Sequence, residues 1–248
     1  MSFLKDQLKK SPRLYRALQR GYYRVMKTAE TRVFGSRLHE WLWRSRFNPS
    51  AVRYSDDREH PHRALLVEDI ARLGPFEAVL EIGCNSGPNL ALLARRFPSV
   101  RIEGIDLNHK ALATGRKRLA EEGVAGVALH EGKADDLSRF ADNSFDVTFS
   151  DATFLYVGPD KFETAVREMA RVTKRVIYFN EWNFSSGGRG PSSLWHDLHW
   201  VHDYQRLLAA LLPGAKVSVS PLPSDLWGPG GWQDYGAVIV CRLDQAAA

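Results

Sequence analysis

The run from Val79 to Leu90, Val-Leu-Glu-Ile-Gly-Cys-Asn-Ser-Gly-Pro-Asn-Leu, constrains the fold more than any other stretch of the chain. It opens as a short apolar strand, turns at Gly83 and Gly87, and passes into a helix. Glycine permits the left-handed backbone that such a turn needs, and it lets a ligand lie against the main chain without a Cβ in the way. The start of the helix adds unpaired N–H groups and positive potential. The rest of the chain continues the alternation. Strands are expected at 78–82, 101–105, 127–130, 145–149, 176–179, 216–219 and 237–241. Helices are expected at 90–97, 110–122 and 161–172, with one long helix over 194–212 that stops at Pro213-Gly214. This pattern calls for an α/β, doubly wound domain: a mostly parallel sheet covered by helices on both faces.

Length and charge set the surroundings of that domain. The chain has 248 residues and two cysteines, Cys84 and Cys241, so no disulfide framework is indicated and a reducing cytoplasm is expected. No run approaches the ~18 apolar residues of a membrane span, and the opening MSFLKDQLKK lacks the apolar core of a secretory signal. Residues 1–53 hold 13 Lys/Arg against 3 Asp/Glu, although the whole chain is only +5, so the remainder is mildly acidic. The natural division is a basic helical extension over 1–60 and a main domain over 61–248. A helix over 12–28 would carry Leu14, Leu18, Tyr22 and Val25 on one face and five basic side chains on the other; a second, over 37–47, is rich in Trp and Arg. Such an arm either packs its apolar stripe on the body and solvates its charges, or makes peripheral contact with an anionic membrane.

A second feature sharpens the glycine turn. Asp106 ends the second strand, 19 residues after Gly87, where a carboxylate can accept from both hydroxyls of a ribose. A dinucleotide fingerprint would place a glycine where this chain has Asn85, which argues against a pyrophosphate ligand. Leu80-Glu-Ile-Gly-Cys-Asn-Ser-Gly87, followed by Asp106, resembles the first motifs of class I S-adenosylmethionine (SAM)-dependent methyltransferases. Its Gly-Cys-Asn-x-Gly form is similar to a bacterial subgroup associated with surface-saccharide biosynthesis. The resemblance covers about residues 62–180 and implies a seven-stranded Rossmann-like sheet whose last strand is antiparallel. It implies SAM as cofactor, with Glu81, Gly83, Cys84, Asn85 and Gly87 at its methionine end and Asp106 and Leu107 at its ribose. Gly132-Lys-Ala-Asp resembles the adenine motif, but Lys133 stands where many members carry an acid, which passes the contact to Ala134 or Asp135. Asp146 to Asp151 resembles the fourth strand, so Ser150 and Asp151 would lie near the reacting methyl group.

Methyl transfer to oxygen needs a group to take a proton. His196 and His199, with His202 beyond them, fall at i, i+3 spacing on the expected long helix, and Asp151 is the rival base. No metal is expected, because no cluster has a diagnostic ligand spacing. Five tryptophans beyond residue 180 suit a saccharide or another small ring-bearing acceptor. Nucleic acid is disfavoured: the fourth strand ends in Ser-Asp-Ala-Thr-Phe, without the Pro-Pro-aromatic or Pro-Cys motifs of base methylation. RNA methylation and a non-catalytic SAM-binding module remain the alternatives.

Overall fold

The computed structural model describes residues 36–44, 60–184, 192–194, 199–223, 225–227 and 230–244. The expected helix at 12–28 and His196 lie outside them. In chain order the helices are α1 (Arg37–Arg44), α2 (Pro61–Ala71), α3 (Pro88–Arg96), α4 (His109–Glu121), α5 (Pro159–Val172), α6 (Tyr204–Leu211) and α7 (Gly231–Tyr235). The strands are β1 (Ala78–Ile82), β2 (Arg101–Asp106), β3 (Val127–Glu131), β4 (Phe145–Asp151), β5 (Thr173–Trp182), β6 (Ser192–Leu194), β7 (Trp200–His202), β8 (Lys216–Pro221) and β9 (Gly236–Arg242).

Seven strands form one sheet in the order β3-β2-β1-β4-β5-β9-β8. β1 to β5 are mutually parallel, and β9 runs antiparallel between β5 and β8. The sheet is therefore the expected mostly parallel, doubly wound type with the last strand reversed. β1 and β4 are buried along their whole length, as central strands covered on both faces must be. Leu80, Ile82, Ile177 and Phe179 point to one face and pack with α5 and α6. Val79, Val147, Phe149 and Tyr178 point to the other and pack with α2, α3 and α4. The strand order reverses direction at β1/β4, and the carboxyl ends of these strands open the crevice where such sheets bind ligands.

Local chemistry sets the helix starts around that crevice. Gly87 (φ 74) turns the chain into α3, with Pro88 in its first turn. Asn108 caps α4 by accepting from the N–H groups of Lys110 and Ala111. His60 caps α2 through its side chain, which accepts from the His62 N–H.

One expected element is corrected. No long helix spans 194–212: β6 and β7 pair antiparallel, and the helix occupies only Tyr204–Leu211. Asp203 is the reason for the late start, since its carboxylate accepts from the Arg206 N–H and caps α6 there. Ahead of it, Trp200, Val201 and His202 are all buried, and the His202 ring hydrogen-bonds to the carbonyls of Phe154 and Val157. Those tertiary contacts, together with aromatic and β-branched side chains, favour the strand.

Candidate functional site

The end of β1 turns sharply at Gly83 (φ 76) and Asn85 (φ 50), and the Gly83 and Cys84 N–H groups both donate to the Ile105 carbonyl of β2. A Cβ on Gly83 would lie 2.0 Å from Thr153 Oγ1, so glycine is required there by the approach of the loop after β4. Asp106 closes the other side. Its carboxylate accepts from the N–H groups of Asn85 (2.8 Å) and Asn108 (2.7 Å), joining the glycine turn to the start of α4. Each oxygen keeps a lone pair for a ligand hydroxyl. Burial raises the Asp106 carboxyl to about 6, against the lowering effect of those N–H donors, so it is mostly ionised at neutral pH.

These groups border a partly open cleft. Of the residues expected at the cofactor or the reacting centre, Gly83, Asn85, Asp106, Leu107, Ala134, Asp135 and Asp151 line it. Four others face elsewhere. Cys84 is buried against Gly104, Gly87 turns the backbone into α3, Ser150 donates to Glu181, and Glu81 accepts from Asn89 beneath the turn. Helix α1 covers the opening. Ser36, His39, Glu40 and Trp43 face the cleft. Glu40 pairs with Lys133 (2.9 Å) and with Lys161, and Lys161 also pairs with Asp135 at 2.8 Å. The Ser36 N–H and hydroxyl donate to Asp160, and its hydroxyl accepts from the Gly158 N–H. Trp43 and His39 meet the Tyr156 ring edge-on, with centroids 4.9 and 5.5 Å away.

The end of β4 carries the charged centre. By strand alternation Glu81, Asp151 and Asn180 share the sheet face that looks toward α2 and α3. Asp151 accepts from Asn180 (2.8 Å) and Asn89 (3.0 Å), contacts His62 Nε2 at 3.1 Å, and lies 3.7 Å from Arg63 Nη1. Burial works to raise its carboxyl, but the pairing with His62, Asn89 and Arg63 outweighs it and holds the group below the usual carboxylate range. His62 Nδ1 stands 2.7 Å from His60 Nδ1, and the His60 ring stacks on Trp227 with centroids 3.9 Å apart. On the opposite sheet face, Glu181 accepts from Ser150 Oγ and from the N–H groups of Thr153, Phe154 and Leu155, which fixes the turn after β4.

The histidines fare differently from one another. His202 is fully buried, and burial depresses its ring to about 4, so it serves as a neutral structural donor. His199 stands between the Tyr156 and Trp182 rings, 5.0 Å from each. His62, Arg63, Asn89 and Asn180, which complete this centre, are not among the site residues expected from the sequence.

A glycine turn, an acid ending β2 and a cleft at the switch point define a nucleoside-binding α/β domain. The sequence profile described as "Methyltransferase domain" matches residues 79–175. A trans-aconitate 2-methyltransferase of Variovorax paradoxus is 38% identical over 205 residues, covering 80% of this chain and 70% of that protein. An uncharacterized protein of Haemophilus influenzae is 30% identical over 162 residues, covering 64% of this chain and 57% of its own length. A fatty-acid O-methyltransferase of Mycolicibacterium smegmatis is 34% identical over 102 residues, which span 41% of this chain and 35% of that enzyme. The chain thus spans about a third to just over half of several relatives that it matches. The solved structure of a SAM-dependent methyltransferase from Aquifex aeolicus shares the fold, with a TM-score of 0.58 at 19% identity over 80% of this chain and all of that one. The chain belongs to the class I SAM-dependent methyltransferase family.

SAM, the cofactor of that family, fits what lines the cleft. Four carboxylates (Glu40, Asp106, Asp135 and Asp151) stand against two lysines, a balance that suits a ligand of net positive charge, in which a sulfonium and an ammonium outnumber one carboxylate. Ile105, Leu107 and Ala134 supply apolar walls for a planar base beside Asp106.

Proposed function

We propose that this chain transfers the methyl group of SAM to a hydroxyl oxygen of a small neutral acceptor of the saccharide class, with Asp151 receiving the proton. SAM supplies an electrophilic methyl on sulfur; the protein aligns the acceptor and manages its proton. The observation that carries this reading is Asp151: an ionised, buried carboxylate on the rigid strand end that borders the cleft, with His62 and Asn180 fixing its orientation. Positive charge grows on an acceptor oxygen as the methyl arrives, and a fixed carboxylate stabilises it while accepting the proton. Both cleft lysines are paired with carboxylates, so an anionic acceptor would face Asp151 without a compensating cation among the described lining residues. Trp43 and Tyr156 offer flat faces for a sugar ring, and His199 and Trp182 extend that aromatic wall. Of the residues expected at SAM, we assign to it those that line the cleft.

The test is a methyl-transfer screen with labelled SAM over neutral saccharides, small phenols, carboxylic acids and RNA. Label on a saccharide hydroxyl, lost by roughly 10²–10⁴-fold in a folded Asp151→Asn protein that still binds SAM, is the expected result. Preferred transfer to carboxylic acids or RNA, or SAM binding with no turnover, refutes the reading.

The basic extension over 1–60 is assigned a peripheral contact with anionic membrane, supported by its excess of Lys and Arg. Among the described residues no helix is long and apolar enough to cross a membrane. Salt-reversible flotation with anionic vesicles, abolished by deleting residues 1–35, is the expected outcome.

A further inference from the structure

Helix α1 has two faces with different tasks. The inner face carries His39, Glu40 and Trp43 onto the cofactor cleft, and Ser36 at its start is tied to Asp160 and Gly158. The outer face carries Arg37, Trp41, Leu42 and Arg44, all exposed. Trp41 (64% exposed) and Leu42 (36%) are the two exposed large hydrophobic side chains among the described residues, and they are neighbours in sequence. An arginine stands at each end of the helix, and the helix's one carboxylate, Glu40, is turned inward and paired with Lys133 and Lys161. An exposed Trp-Leu pair between arginines, on a segment with a large excess of basic residues, matches the interface of an anionic lipid surface. Tryptophan settles at the headgroup level and arginine meets the phosphates.

We infer that the outer face of α1 docks on an anionic lipid surface and that this docking holds the helix closed over the cofactor, so that lipid and SAM bind cooperatively. The inference rests on the peripheral-membrane reading of the basic extension. The physical link is the helix itself. Lifting the helix from the cleft would strip Lys133 and Lys161 from Glu40 and present a free carboxylate beside the anionic surface, so the lipid favours the closed helix. Each ligand favours the same closed placement, so each must raise the affinity for the other by the same factor.

The experiment measures SAM affinity of the full chain by calorimetry in three conditions: without lipid, with phosphatidylcholine vesicles, and with vesicles of equal parts phosphatidylcholine and phosphatidylserine. The expected result is a tightening of at least about five-fold with the anionic vesicles alone, the lower end of ordinary two-site coupling. The double variant Trp41→Ser, Leu42→Ser keeps the lipid-free affinity and loses the tightening, and Arg37→Ser with Arg44→Ser reduces it. Anionic vesicles that bind the protein and leave SAM affinity unchanged overturn this inference while the membrane reading survives. Tightening that persists in the Trp41/Leu42 variant also overturns it. Failure of the protein to bind any vesicle removes the membrane reading and this inference together.

Discussion

Glu81 and Asp151 are two buried carboxylates on one face of one sheet, and they share a donor: Asn89 Nδ2 reaches Glu81 at 2.7 Å and Asp151 at 3.0 Å. Their ionisation is nevertheless opposite. Burial pushes Glu81 up to about 8, only partly relieved by Asn89, and the nearby charge of Asp151 adds to the rise. Asp151 is buried as well, but His62 and Arg63 stand beside it and keep it ionised. Depth alone therefore does not decide the charge of a carboxyl; the hydrogen-bond donors and charges in contact with it do. Two carboxyls with pKa values driven apart are a common way for one site to hold a neutral acid and a charged base side by side. Glu81 lies under the glycine turn as a neutral prop, and Asp151, buried at the strand end that borders the cleft, is the charged group.

The largest effect that sharpens this contrast comes from removing the charged member. Asp151→Ala leaves His62 and Arg63 in the interior without their carboxylate, and breaking a buried charge cluster costs about 3–5 kcal/mol of stability. Urea denaturation of the parent and variant at neutral pH measures it. A loss below about 1 kcal/mol, the ordinary size of a neutral hydrogen bond, would show that the cluster does not hold charge at Asp151, and the contrast with Glu81 would collapse.

A third carboxylate gives a smaller, ligand-dependent effect. Asp106 faces the cleft and is held by backbone N–H groups rather than by cations. Asp106→Ala should weaken SAM binding by about 1.5–3 kcal/mol, the scale of hydrogen bonds to a charged group. In the parent, affinity should fall as pH drops through about 6, because the protonated carboxyl loses acceptor capacity. Calorimetry across pH 5 to 8 checks both points; unchanged affinity in the folded variant would take Asp106 out of the cofactor site.

Much of the site was readable in advance because central parallel strands are apolar runs that end at their turns. β1, β2 and the cleft-lining groups at Gly83, Asp106 and Asp151 follow from that pattern and the resemblance it carries. The charge cluster was harder to see. Helix α2 buries His62 and Arg63 together with Leu66, Val67 and Ile70, and polar residues on the inward face blur the apolar stripe by which a helix is recognised. A clue was nevertheless available in strand parity: Glu81, Asp151 and Asn180 interrupt apolar strands at positions that share a face. The segment over 194–212 was misread for a related reason. Its aromatic and apolar spacing suits a helix or a strand, and the bonds that decide, from His202 to Phe154 and Val157, span more than forty residues of chain.

The remaining prediction is a change of slope, and it tests the neutral member of the pair. Glu81 titrates at about 8 in the folded chain and near 4.5 when exposed, so folding raises its pKa. A carboxyl of this kind stabilises the fold fully below its unfolded value, and the contribution is lost as pH climbs toward the folded value. The ionised form must otherwise be buried. The parent should therefore lose stability between about pH 4.5 and 8, at a rate bounded by about 1.4 kcal/mol per pH unit from this one group. Glu81→Gln retains an oxygen to accept from Asn89 and has no charge to bury. Parent and variant should be nearly equal at pH 5, and the variant should gain steadily on the parent up to pH 8. Denaturant titrations of the SAM-free protein at pH 5, 6.5 and 8 give the two slopes. Parallel slopes would mean that Glu81 is already ionised in the folded chain at neutral pH; it and Asp151 would then be two charges sharing one amide rather than an acid beside a carboxylate.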